Sequence, residues 1–353
     1  MLIYLDCEVS ELAKCDMDKR DAALRNLLRA HRLGDHLVVI PREPCRYLVQ
    51  EADLCGSDRA MLERIAHEYT QRANLVRKAP RYIRVANRST EPAPDGRSIS
   101  VTFDDLTSSR ILERSVLLVE NIKRDGLLYG ELIKAHYDLH DCPVPAYEAM
   151  HGGGADLATV FVEQIRRKRI VCGIVDSDRY SPDSGSASKL EALRRLADQL
   201  AWPFAFAISP PCREAENCIP MELMMSLQCG KSNTANHQYL KIADHEKQQQ
   251  HDCKRSFWLF VDLKQGLSEK TVHKLTDARD KAWVTEKLGI LGLELTTVSI
   301  HGFGDKVFDQ IAANGEHFAQ LRSLTRSNAW REVFFDFVDF LLWVFAGGRR
   351  VVT

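Results

Sequence analysis

The sequence lacks any Cys-x-x-Cys pair; its ten cysteines stand singly, at 7, 15, 45, 55, 142, 172, 212, 218, 229 and 253. That spacing excludes a zinc knuckle. Single thiols set in apolar runs suit a reducing, cytoplasmic setting better than secretion. Net charge is also lacking: 48 basic side chains face 49 acidic ones, for a formal −1. No global positive field draws in a polyanion, so nucleic acid would need a local basic patch. The runs at 166–169, 77–84 and 347–350 offer such patches, and each also reads as an ordinary solvated face or tail. Long apolar runs are missing too. The most apolar stretch, 333–347, is too short to span a bilayer and carries Asp336 and Asp339. It is expected to be a buried C-terminal helix, with no membrane role. The first twenty residues lack the basic start and apolar core of a signal peptide. No internal repeat is visible.

What is present is an α/β pattern. Residues 1–108 open on "LIYLD", followed by an amphipathic helix near 19–33 and a strand at 36–40. Helical stretches near 44–52 and 57–75 precede two strand-like pieces that flank "NRSTEPAPDGR", a turn-rich loop at 87–97. From 109 to 230 strands and helices alternate strictly. Strands are expected at 115–120, 144–150, 170–178 and 203–209, with helices between them. That alternation predicts a central parallel sheet flanked by helices, with all strand C-termini on one edge. Ligands of such sheets bind at that edge. Residues 231–353 read as a mostly helical C-terminal region completing the site. Within it "GKSNTANHQYLKIADHEKQQQHDCKR" is polar enough to predict a mobile insertion, and "SFWLFVDLKQGLS" a strand entering a turn.

The chemistry gathers at the predicted edge. The first strand of the alternating region ends in Glu120, the third in Asp176 and Asp178, and the fourth is followed by Glu214 and Glu216. Residues two apart in an extended chain point the same way, so Asp176 and Asp178 are expected to face one ion. Clustered carboxylates repel, and a Mg²⁺ or Mn²⁺ ion resolves the conflict because hard cations take oxygen ligands. Metal-assisted phosphoryl transfer or phosphodiester hydrolysis is the matching chemistry. The turn "HGGGAD" places Gly152, Gly153 and Gly154 before a helix, where their amides would cradle a phosphate or where glycine simply supplies positive φ. Lys264 in "VDLKQG" is the cation best placed to stabilise developing negative charge. His151 and His301 read as structural or phosphate-approaching.

The ordered set formed by "VLLVENIKRDGLLY", "HGGGADL", "IVDSD" and "REAENCI" resembles the TOPRIM fold of topoisomerases, primases and OLD-type nucleases. It is most similar to the TOPRIM nucleases of bacterial phage defence, which work beside an ABC-type ATPase. "FVDLKQGL" and "IHGFGDKV" more loosely resemble segments downstream of that core. The resemblance implies a Mg²⁺- or Mn²⁺-dependent endonuclease acting on DNA or RNA, an ATPase partner and a homodimer. It puts Glu120, Asp176 and Asp178 on the metal, with Glu216, then Glu214, as further ligand or base. Two departures matter. Asn121 replaces a glycine, and Arg124 stands where a second acid is expected, with Asp125 one place later. Either one residue is inserted or the second site is altered, and Asp125 also suits a helix cap. The departures leave a second reading open, a catalytically inactive regulatory subunit held by an ATPase. Residues 1–108 resemble the start of PIN-like ribonucleases, with Asp6 as first acid. No second and third acids follow in order, which predicts a Rossmann-like accessory domain.

Overall fold

The computed structural model describes residues 1–87, 96–140, 142–227, 232–296 and 298–351. Most of the loop at 87–97 lies outside them. Strands β1 (Leu2–Leu5), β2 (Leu37–Val39), β3 (Tyr82–Val85) and β4 (Ser98–Val101) form one parallel sheet in the order β2-β1-β3-β4. Helix Met17–Leu33 covers it. Asp16 opens that helix by accepting from the Lys19 N–H, and Gly34 closes it at φ +78°. Ala23, Leu24, Leu27 and Leu28 form its buried stripe, at the spacing of one helix face.

The second sheet follows from β5 (Ser115–Val119). After it come the two-residue β6 (Val144–Pro145), then β7 (Tyr147–His151), β8 (Val171–Ile174) and β9 (Ala205–Ile208). The sheet is parallel, in the order β7-β5-β8-β9. Its central strands β5 and β8 are buried along their whole length, as covered parallel strands must be. Further on, β10 (Gly266–Ser268) pairs antiparallel with β11 (Ser299–His301), and β12 (Ala346–Gly347) with β6. The protein is thus α/β, with parallel sheets flanked by helices.

Two expectations for the C-terminal region fail. The polar segment, described from residue 232 onward, does not read there as a mobile insertion. It forms a helix, Ser232–Gln248, whose Ala235, Tyr239 and Ile242 are buried. A stripe of three apolar residues at helical spacing is enough to dock it, and average composition hides such a stripe. Tyr239 stacks on Phe303 at 5.3 Å between ring centroids. Nor is "SFWLF" a strand. Phe257–Leu259 is a 3₁₀ turn, buried all round. Its carbonyls find no ladder; the Asn217 amide donates to Trp258 O and Val261 O instead, at 2.6 and 2.9 Å. The closing helix, Asn328–Val344, is where the sequence puts it. Phe334, Val338, Leu341 and Leu342 are buried, and Phe337 meets Tyr129 edge-on. Among the described residues no helix is long and apolar enough to cross a membrane.

One buried apolar cluster includes Ile3, Leu27, Leu117 and Phe345, so the two sheets share a core. A polar contact reinforces the junction: His36 Nε2 lies 3.0 Å from Glu113 O. Two histidines beside this junction are held neutral. Burial, then the Arg72 charge, lowers His31 to about 4. Burial and the neighbouring Met1 amine hold His36 well below its usual value. His31 Nδ1 lies 3.1 Å from the Val38 nitrogen and Nε2 3.1 Å from Arg72; the neutral ring accepts at one nitrogen, and protonation removes that acceptor and sets a second charge beside Arg72. A base with a depressed folded pKa stabilises the fold above its unfolded value, near 6.5, and loses that stability as pH falls toward 4. Between pH 7 and 4.5 the wild type is expected to lose about 2–3 kcal/mol more than His31→Gln in chemical denaturation. Parallel losses in the two proteins would contradict this account of His31.

Candidate functional site

The acids leave neighbouring strands at one edge. Val119 pairs with Ile174 across β5 and β8, so Glu120 and Asp176 emerge side by side on strands about 4.8 Å apart. Helix Ser188–Gln199 brings Lys189 to Glu120, Nζ to Oε1 2.8 Å. Asp176 Oδ1 accepts from the Ala215 N–H at 3.1 Å.

Asp178 departs from the expected alternation. The strand stops at Ile174, and Asp178 sits at φ +51°. The Ser177 and Asp178 N–H groups both donate to Arg213 O, at 2.9 and 3.0 Å, which curls the chain out of the sheet. Asp178 is exposed, and its charge acts on Lys189 together with those of Glu120 and Asp176.

Asp125 is more than a helix cap. Residues Ile122–Gly126 form a π-helical turn before helix Leu127–His140. Such a turn takes up one extra residue without disturbing the helix that follows. Asp125 follows from this turn into the reach of the other acids. Its carboxylate accepts from the Asn121 N–H at 2.9 Å. Burial, then the Glu216 and Glu120 charges, raise it to about 6, against the Asn121 hydrogen bond.

Glu214 and Glu216 would diverge if both lay on a helix. Both reach the site, because Glu214 is still extended at φ −134° and only the next residue enters the 3₁₀ turn Ala215–Cys218. Lys264 Nζ lies 2.8 Å from Glu214 and 3.4 Å from Glu216. Burial alone would lower the Lys264 pKa; Glu216 and Glu214 overcome it and raise it. Burial raises Asp176 well above the usual range, and Asp125, Glu214 and Glu216 push it further against the pull of Lys264. Five of these groups therefore sense one another as a single cluster.

Lys264 is held by the two downstream motifs, which meet as β10 and β11. The Lys264 and Gln265 N–H groups donate to Asp262 Oδ1, and Lys264 O accepts from the Gly304 N–H at 2.9 Å. The approach is close: a Cβ on Gly302 would sit 2.2 Å from Lys264 O. At the glycine turn, the Gly152 N–H donates to Val119 O at 2.7 Å, beside Glu120. Gly153 and Gly154 both take positive φ, so their conformational role is real whether or not a phosphate binds. His151 ends β7 opposite Val119, and the His301 N–H donates to Gln238.

Sequence reasoning gave Lys189 no role, since a lysine in the first turn of an amphipathic helix carries no signal. It also left Asp6 alone. In the structure Asp6 pairs with Arg84 at 2.5 Å, in a cavity of about 1090 Å³ also lined by Glu8, Glu11 and Glu43. Among the described residues one trio of metal-ligating atoms lies mutually within 4.8 Å: the exposed Asp252 and Glu332 with the half-buried Cys253. The predicted acids do not close that tightly, because Lys189 draws off Glu120 while Lys264 draws off Glu214 and Glu216. Their donor set still fits a hard divalent cation: oxygens only, partly desolvated and mutually repelling. Comparison with family models, with curated proteins and with solved structures finds no match.

Proposed function

We propose that the protein is a Mg²⁺- or Mn²⁺-dependent endonuclease built on a TOPRIM-like core. The observation that carries it is the partly buried cluster of Asp125, Asp176, Glu214 and Glu216 with Lys264, at the C-terminal edge of a parallel sheet. Asp176, Glu120 and Glu216 would hold the cation, with Asp178 and Glu214 beside them. When bound, it supplies an activated water and stabilisation of the leaving oxygen. The rest is the chain's own work. Lys264 offers a fixed positive charge to the phosphate, and the turn at Gly152–Gly154 offers backbone amides. The sequence resemblance adds the biological setting: a bacterial anti-phage effector partnered by an ABC-type ATPase.

A second reading has its own support. Two ammonium groups already compensate the carboxylates, as a catalytically inactive, regulatory form of the same fold would require. Titration calorimetry with Mn²⁺ and a cleavage panel of plasmid, linear DNA and total RNA separate the two. The nuclease reading expects saturable Mn²⁺ binding, and cleavage of at least one substrate that EDTA abolishes. Absence of both, alongside tight binding to an ATPase, would select the regulatory reading.

A further inference from the structure

Arg179 follows the Asp176–Asp178 turn and is half-buried, yet makes no ion pair with any described carboxylate within 4 Å. One guanidinium N–H donates to Pro211 O at 2.9 Å, and the group lies 5.1 Å over the Phe260 ring. Withdrawing a cation from water without a counter-charge is costly, and burial lowers its pKa accordingly. The loop holding it is tied down by hydrogen bonds: the Ser181 and Ser184 hydroxyls both donate to Asp280, at 2.6 and 2.7 Å. The uncompensated cation is therefore presented in place, as anion sites require.

Two adjoining cavities, of about 430 and 440 Å³, share Arg179 as a wall. The first is lined by Ser177, which stands between the two acids of the turn, and by Phe337 and Phe340, both partly exposed. Asp336 lines both cavities, and Arg255 in the second is spent on Asp183 at 2.7 Å. A planar cation beside half-exposed aromatic rings is the combination that takes a phosphate and stacks unpaired bases. Bases in a duplex have their faces covered and gain nothing from such rings.

We propose that this groove binds single-stranded nucleic acid, with a backbone phosphate on Arg179 and bases against Phe337 and Phe340, and so feeds an unpaired strand to the acidic cluster. The inference deepens the nuclease reading and rests on it for the nature of the polyanion. The test is fluorescence anisotropy in EDTA, where cleavage is silent, with labelled 20-nucleotide single strands of DNA and RNA and the matching duplexes. Single strands of one or both types are expected to bind more tightly than duplexes. Arg179→Gln is expected to weaken binding about tenfold or more and to reduce the salt slope by about one. Phe337→Leu, which keeps the apolar packing, should weaken it about fivefold or more at unchanged salt slope. Asp336→Asn should tighten it. Circular dichroism melts confirm that each variant is folded. Unchanged affinity in folded Arg179→Gln, a preference for duplex, or no binding by the wild type would overturn the proposal. Binding without any cleavage would remove the nuclease reading and leave the groove standing. Cleavage with an indifferent Arg179→Gln would do the reverse.

Discussion

Asp176→Asn is expected to give a protein that melts higher than the wild type in EDTA and, supplied with Mn²⁺, cleaves far more slowly. Burial and three neighbouring carboxylates raise the Asp176 pKa, so the folded state prefers the protonated acid. The sign follows from linkage. At neutral pH the folded protein carries a cost that is absent below the unfolded value near 3.8 and relieved as pH falls through the raised one. Asparagine copies the shape of the protonated acid and keeps an acceptor for the Ala215 N–H. Removing the charge is worth on the order of 1–3 kcal/mol, a rise in Tm of several degrees. Cleavage, in contrast, should fall by roughly 10³-fold, because an oxygen ligand of the cation is gone. Glu120→Gln offers the contrast: its pair with the exposed Lys189 is partly solvated and worth about 0–1 kcal/mol, so activity falls with little change in Tm. Retained cleavage in both variants would end the nuclease reading. An unchanged Tm in Asp176→Asn would show that the cluster carries no such tension.

Lys264→Ala is expected to move two readouts in opposite directions. The ammonium neutralises Glu216 and shares Glu214 with Arg213, whose Nε lies 3.3 Å from it; without Lys264 both acids stay largely buried and Glu216 loses its partner. Without it the metal-free protein should lose about 1–3 kcal/mol, while Mn²⁺ binds about tenfold more tightly for want of a competing cation. Cleavage should still fall roughly 10²-fold, because the charge offered to the phosphate is lost. Mn²⁺ affinity that ignores Lys264 would mean that cation and ammonium occupy separate places. Gly302→Ala tests the positioning of the same residue. The added Cβ would meet Lys264 O at 2.2 Å, which backbone cannot yield without moving the β10–β11 pair. Cleavage is expected to drop as in Lys264→Ala, in a protein whose remaining core still unfolds cooperatively.

Sequence by itself determined the strand–helix alternation, the parallel second sheet and the delivery of Glu120 and Asp176 to a common edge. Runs such as Val116–Val119 and Val171–Ile174 bury both faces, and a parallel register then leaves little freedom about where they end. It also marked Lys264, whose motif is local. Only tertiary structure decided the rest. Asp178 leaves the strand pattern because Arg213 O, distant in sequence, captures two successive N–H groups. Asp125 joins the acids because a π turn absorbs one residue, and helix periodicity cannot register that from residue types alone. Ser232–Gln248 docks through three side chains whose partners lie on other elements. Local patterns fix which backbone forms; which charges end up facing one another depends on contacts between segments far apart in the chain, and there the sequence carries no spacing to read.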